Sequence, residues 1–208
     1  MTAPADDGLF LVLHAVRIKG LAAADAIAES TALAPADVEH WTAEASRAGL
    51  LTYRDGRMGG YRLATPGVEK HAELLDQEVS HVGRRRGLEA AHVAFLPLNV
   101  ELKDVTTAWQ LRDGAPNDHT DAAYDATVID RLAIVHEGAL GMLDDAVLAV
   151  PRFATYPKRL ADALTRVQGG EVAAFARPLA SSYHDVWMEL HQDLLLSLRR
   201  ERSAEDGH

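Results

Sequence analysis

Apolar residues recur along this chain first at helical spacing, then at the two-residue spacing of strands, and then at helical spacing again to the end. From Gly8, "LFLVLHAVRIKG" places Leu9, Leu13 and Val16 on one helical face, and Gly20 stops it. "AAADAIAES" predicts a short second helix with Ile27 inward, followed by a turn at Thr31-Ala32-Leu33. A third helix opens at Ala34-Pro35, because proline is favoured in the first turn; it offers Val38, Trp41 and Ala45 to a core and ends at Gly49. In "LLTYRDGRMGGYRLAT" the runs Leu51-Thr52-Tyr53 and Tyr61-Arg62-Leu63 flank Asp55-Gly56 and Gly59-Gly60, which predicts a β-hairpin. Thr65 as N-cap and Pro66 as first helical residue then open a helix through "GVEKHAELLDQEV".

Beyond Val79 the texture changes. "SHVGRRRGLEAAH", with Arg84, Arg85 and Arg86, reads either as a continuing helix or as a hinge. "AAHVAFLPLNVELKDVTTAWQLR" predicts one or two helices with a bend at Pro97, and "DGAPNDHT" predicts a loop. A long helix follows, carrying Tyr124, Val128, Leu132, Val135, Ala139, Met142 and Ala146 at three-to-four spacing until Pro151. "YPKRLADALTRVQGG" and "SSYHDVWMELHQDLLLSLRR" are the last helices. Helices on short connections predict an antiparallel bundle over residues 81–203.

The order helix, helix, helix, hairpin, helix over residues 8–80 is that of a winged helix-turn-helix. "RIKGLAAADAIAESTALAPADVEHWTAEASRAGLLTYRDGRMGGYRLATPGVEKH" resembles the winged-helix domains of MarR-like bacterial transcriptional regulators. The short helix, the turn, the helix ending in Gly49-Leu50-Leu51, the glycine-rich hairpin and "LATPG" carry the likeness. "FLPLNVELKDVTTAWQLR" and "NDHTDAAYDATVIDRL" are similar to a helical segment that follows such winged helices in actinobacterial regulators, a likeness that carries no mechanism. The resemblance implies a mainly α protein whose winged helix contacts operator double-stranded DNA. Its helical domain is expected to form a homodimer, sense a small-molecule effector, or both.

Composition narrows the alternatives. The 208 residues include no cysteine, which removes disulfides, thiol catalysis and thiolate metal sites and fits a reducing cytoplasm. No apolar run approaches 18 residues and "MTAPADDGLF" lacks a basic, then apolar, leader, so neither a membrane span nor a secretory signal is expected. A net charge of -10 argues against a protein that coats nucleic acid or anionic membrane nonspecifically. Residues 1–80 hold 7 Lys+Arg and 12 Asp+Glu, and residues 81–208 hold 14 and 19, so neither half is a basic arm. Phosphate loops, G-x-S-x-G elbows and H-E-x-x-H motifs are absent, so neither an enzyme nor a cofactor is expected.

Phosphate contacts come from Lys and Arg, which points to Arg54, Arg57 and Arg62 on the hairpin and to Lys19 at the end of the first helix. On the third helix His40, Thr42, Ser46 and Arg47 are candidates to meet DNA, while Asp37, Glu39 and Glu44 repel phosphates. The other reading of that acidic helix is a solvated face of a protein-docking or dimerisation module. Arg84–Arg86 form a solvated hinge or, in a dimer, a doubled basic footprint.

In the helical half, Trp109, Gln110 and Arg112 suit a pocket for an anionic or aromatic small molecule, toward which Arg131, Arg152, Tyr156 and Arg159 are candidates to converge. Asn117, His119 and Tyr124 belong to the neighbouring polar run "NDHTDAAYD". That run supports two readings: a metal site from His119, Asp121 and Asp125, or a helix start capped by Asp118 or Thr120 with Asp121 at the positive helix end. His184 and His191 stand two turns apart, about 10 Å, too far to share one ion unaided. Ser182 with Asp185 has the spacing of a capping box, and Tyr183, Trp187 and Leu190 form a stripe that reads as core.

Overall fold

Helix α1 (Ala5–Lys19) opens the computed structural model, which describes residues 5–56 and 59–201. Its buried face is wider than Leu9, Leu13 and Val16: Phe10 and Val12 turn inward too, while Leu9 is half-buried. Helix α2 (Ala24–Thr31) adds Ile27 to the same core. Helix α3 (Pro35–Arg47) starts on its proline and buries Val38, Ala45 and, unexpectedly, Thr42. Trp41 is only half-buried, yet its indole lies against Gly8, where an added Cβ would stand 2.1 Å from Nε1.

Strand β1 (Leu51–Arg54) pairs antiparallel with β2 (Gly60–Leu63) in the register Leu51↔Leu63, Thr52↔Arg62, Tyr53↔Tyr61. Tyr61 also exchanges backbone bonds with Ala22 at 3.0 and 2.8 Å, which ties the hairpin to the α1–α2 connection. Helix α4 (Thr65–Val79) has Ala64, not Thr65, as its N-cap, and no side chain caps it. Its start packs so closely on the hairpin's entry that a Cβ on Gly67 would lie 2.0 Å from the Leu50 carbonyl oxygen. Further along, α4 buries His71, Leu74, Leu75 and Val79, and His71 Nε2 meets His14 Nδ1 of α1 at 2.9 Å.

The chain divides into two compact units, Met1–Val82 and Gly83–His208. Helix α5 (Val82–Gln110) is one helix of 29 residues that runs through Pro97 without breaking. Pro97 and Val93 are both exposed, so the carbonyl that loses its partner faces solvent and the cost is small. Where a plain loop was expected, β3 (Leu111–Arg112) and β4 (Ala115–Pro116) form a small ribbon. Its turn residues Asp113 and Gly114 have φ of 52 and 80, the doubly left-handed turn that Asp-Gly favours.

Helix α6 (Ala122–Ala149) buries Val128, Leu132, Val135, Ala139, Met142 and Ala146, as their spacing predicts. A 3-10 turn (Pro151–Ala154) leads into α7 (Thr155–Gln168), which packs on α6; α8 (Ala173–Ala176) and α9 (Tyr183–Leu198) follow. Ser182 and Asp185 form the capping box of α9. Tyr183, Trp187 and Leu190 are core, with Trp187 stacked on Phe95 at 4.9 Å and its Nε1 donating to Asn99 at 2.9 Å. Among the described residues the protein is thus mainly helical, with a hairpin of two four-residue strands and the small β3–β4 ribbon, and no helix among them is long and apolar enough to cross a membrane.

Candidate nucleic-acid interface and the polar clusters of the second unit

Strand alternation decides what the hairpin presents. Thr52, Arg54 and Arg62 share one face, and all three are exposed. Tyr53 and Tyr61 take the other face, their rings meeting edge-on at 5.0 Å. Arg62 Nε donates to Thr52 Oγ1 at 3.2 Å, a single bond across the strand pair. Arg54 is exposed and forms no ion pair with a described residue. Arg57 lies outside the described residues. Lys19 sits half-buried at the end of α1.

On α3, His40, Ser46 and Arg47 are exposed together with Asp37 and Glu39. Arg47 is taken up by an ion pair with Glu44 one turn earlier, and its hydrogen bond holds the Glu44 carboxyl below the usual range. His40 leans its ring edge on Trp41 at 4.8 Å. Thr42 is a correction: it is 1% exposed and its hydroxyl donates to the Val38 carbonyl at 2.8 Å, so it is not placed to touch DNA.

In the second unit, the end of α5, the ribbon and the start of α6 bring most of the expected ligand residues together. Trp109 is buried between Phe175, stacked at 4.7 Å, and His119 at 4.4 Å. Asn117 Nδ2 donates to the Trp109 carbonyl at 3.2 Å and to Asp125 at 2.9 Å, and His119 Nδ1 lies 3.0 Å from Asp125 Oδ2. Tyr124 donates to the Ala108 carbonyl at 2.8 Å, and the Arg112 guanidinium sits 4.7 Å over its ring. Gln110 is exposed and joins only through its backbone carbonyl, which accepts from Asn117 N at 2.9 Å. The side chains converge, but mainly on one another.

Asp121 stands at the positive end of α6, as expected, but two details correct the rest of that polar run. The N-cap of α6 is Asp121, which accepts from Ala123 N and Tyr124 N at 3.1 Å each; Asp118 instead braces the preceding turn through Thr120. The Tyr124 backbone donor first, and the Arg112 pair at 2.9 Å second, hold the Asp121 carboxyl below its ordinary range. With Asp121 committed there, Asp125 is the carboxylate that the His119 ring meets. Among the described residues no group of three or more His, Asp or Glu forms a metal site.

Arg131, Arg152, Tyr156 and Arg159 do not converge as one group. Arg131 pairs with Glu101 at 2.8 Å on the surface. The other three build a buried network with α9 that sequence reasoning missed. Arg152 binds Asp193 and donates to Ser197 at 2.5 Å, Tyr156 donates to Asp193 at 3.0 Å, and Arg159 meets Glu189 at 2.6 Å. Burial first and the Asp193 charge second push the Tyr156 phenol well above its ordinary range, so it remains a donor. The available signal was partial: Tyr156 and Arg159 stand three apart on α7, and Glu189, Asp193 and Ser197 share one face of α9, but spacing does not pair one set with the other. The His191 ring lies tilted against Phe95 at 4.8 Å and joins no metal cluster among the described residues, and burial holds His184 below its ordinary value. No family model, curated protein or solved structure matches the chain.

Proposed function

We propose that residues 8–80 act as a winged helix-turn-helix of a transcriptional regulator, a MarR-like module that contacts double-stranded DNA through the hairpin and α3. On this reading the helical region 81–203 brings two copies together or binds a small-molecule effector, in the cytoplasm. One observation carries the proposal: the outward face formed by Thr52, Arg54 and Arg62. A guanidinium offers five donors, and Arg62 spends one on Thr52, leaving both arginines able to grip phosphate oxygens. The Glu44–Arg47 pair cancels one of the carboxylates beside them, so Asp37 and Glu39 carry the remaining repulsion.

Fluorescence anisotropy of the full-length protein with DNA from upstream of its own gene, repeated across salt concentrations, tests this. Arg54→Ala and Arg62→Ala should each weaken binding about threefold to tenfold and reduce the salt slope by about one. Absence of binding, or binding indifferent to salt, overturns the proposal. The exposure of Asp37 and Glu39 favours a second reading, in which α3 docks a basic protein surface. Asp37→Asn with Glu39→Gln separates the two: DNA binding tightens if α3 lies near phosphates.

A further inference from the structure

Helix α5 exposes a line of residues that its own fold does not use. At 100° per residue, Arg86, Val93, Pro97, Val100 and Asp104 fall within about 60° of one another, with Ala90 at the margin. All six are exposed, Val93 at 64% and Val100 at 53%. The line lies opposite the buried face of Leu88, Ala91, Phe95 and Leu102. It is apolar in the middle and charged at its two ends, with Arg86 and Asp104 on about 27 Å of helix. Neither Arg86 nor Asp104 forms an ion pair with a described residue.

We infer that this face of α5 is the surface on which a second copy of the chain docks, with the two α5 helices antiparallel about a twofold axis. The distribution of charge selects that occupant. Arg86 lies nine residues before Phe95 and Asp104 nine after it, so an antiparallel pair centred there sets Arg86 of each copy opposite Asp104 of the other. The same register sets Val93 against Pro97 and Ala90 against Val100. A twofold interface must be complementary to itself, and this line is. Beside it, α6 carries Ile134, Gly141 and Leu148 at seven-residue spacing, with Ile134 69% and Leu148 86% exposed, which widens the apolar contact. Close approaches fix α6 alongside: a Cβ on Gly138 would lie 2.6 Å from Leu98 Cδ2, and one on Gly87 2.6 Å from Ala149 Cβ.

This inference deepens the dimeric part of the proposed function, and it is read without DNA, so either can fail while the other stands. Sedimentation equilibrium of the full chain at about 50 µM, above the micromolar end of the affinities that interfaces span, should give twice 22.5 kDa. Val93→Glu with Val100→Glu should give the monomer with an unchanged circular-dichroism melt. Asp104→Arg should weaken the dimer about tenfold, and adding Arg86→Asp should restore it. Because the chain has no cysteine, Arg86→Cys with Asp104→Cys gives a clean second test. Within one copy the two thiols stand about 27 Å apart, beyond disulfide reach, so oxidation should yield a linked dimer from the pair and none from Arg86→Cys alone. A wild-type monomer, a dimer indifferent to Val93→Glu and Val100→Glu, an unrestored charge swap or an unlinked cysteine pair each overturns the inference.

Discussion

Replacing Asp193 with alanine removes an acceptor that three donors share inside the second unit. Its carboxylate takes hydrogen bonds from Arg152, from Tyr156 at 3.0 Å and from Ser197 at 3.1 Å, and the side chains of Arg152 and Asp193 are 4% and 3% exposed. What the variant loses is less the attraction than the compensation: a guanidinium and a phenol remain in a place that water does not reach. Breaking a buried pair from one side costs about 3–5 kcal/mol. At a urea slope of about 2 kcal/mol/M, the unfolding midpoint of this unit falls by about 2 M. Urea titration followed by far-ultraviolet circular dichroism and by tryptophan fluorescence reads it, because Trp109 and Trp187 are buried in this unit and Trp41 belongs to the other. The triple variant Arg152→Met, Tyr156→Phe, Asp193→Leu should recover most of the loss, since it leaves no stranded charge. A loss below about 1 kcal/mol for Asp193→Ala, or a triple variant as unstable as the single one, would refute the reasoning.

Gly67→Ala should destabilise the first unit by more than the 1–3 kcal/mol common for overpacking, because the added Cβ meets the Leu50 carbonyl at 2.0 Å and backbone cannot rotate away; thermal unfolding reads it. Burial holds His136 below its unfolded value of 6.5, so the unfolded chain takes the proton first. Stability of the second unit should therefore be whole above pH 6.5 and fall as pH drops through it toward the lower folded value, with His136→Asn flattening that slope in urea titrations at stepped pH. Asp121→Ala should lower the melting temperature by removing the α6 cap, an effect that fades in acid because its carboxyl titrates below the usual range and its contribution is present only when ionised.

The first unit is legible in sequence because its boundaries are set by residues with few options. Pro35 starts α3, Gly20 and Gly49 take positive φ at helix ends, and Asp55-Gly56 and Gly59-Gly60 flank the turn between two short strands. Legibility fails where several residues could do the same job. Asp118, Thr120 and Asp121 are all able to cap α6; Arg112, brought in by the ribbon, pairs with the one that does. The ribbon itself had its Asp-Gly signal but no alternating strands around it. Thr42 misleads because a hydroxyl bonded to its own helix buries as readily as an apolar group. Pro97 leaves one helix or two open, because its penalty depends on exposure, which only the fold sets. The Arg152–Asp193 network needs the 3-10 turn, α7 and α9 to meet, and spacing within any one of them does not reveal a partner 41 residues away.

The two units spend their polar groups in opposite ways, and that difference directs the functional reading. In the second unit Asn117, His119, Tyr124, Arg152 and Arg159 point their donors at acceptors a few ångströms off, so a ligand there would have to replace bonds already made. In the first, Arg54 and Arg62 face water with most of their donors in hand. On the proposed function, a polyanion gripped this way would draw its affinity from backbone charge, and base reading would be left to His40 and Ser46 on a helix whose one arginine is held by Glu44. The expected binding is therefore steep in salt and modest in sequence preference for one copy. On the proposed function, discrimination between operators then has to come from two copies meeting two half-sites at once, which would join the proposed α5 contact and the hairpin arginines in one mechanism.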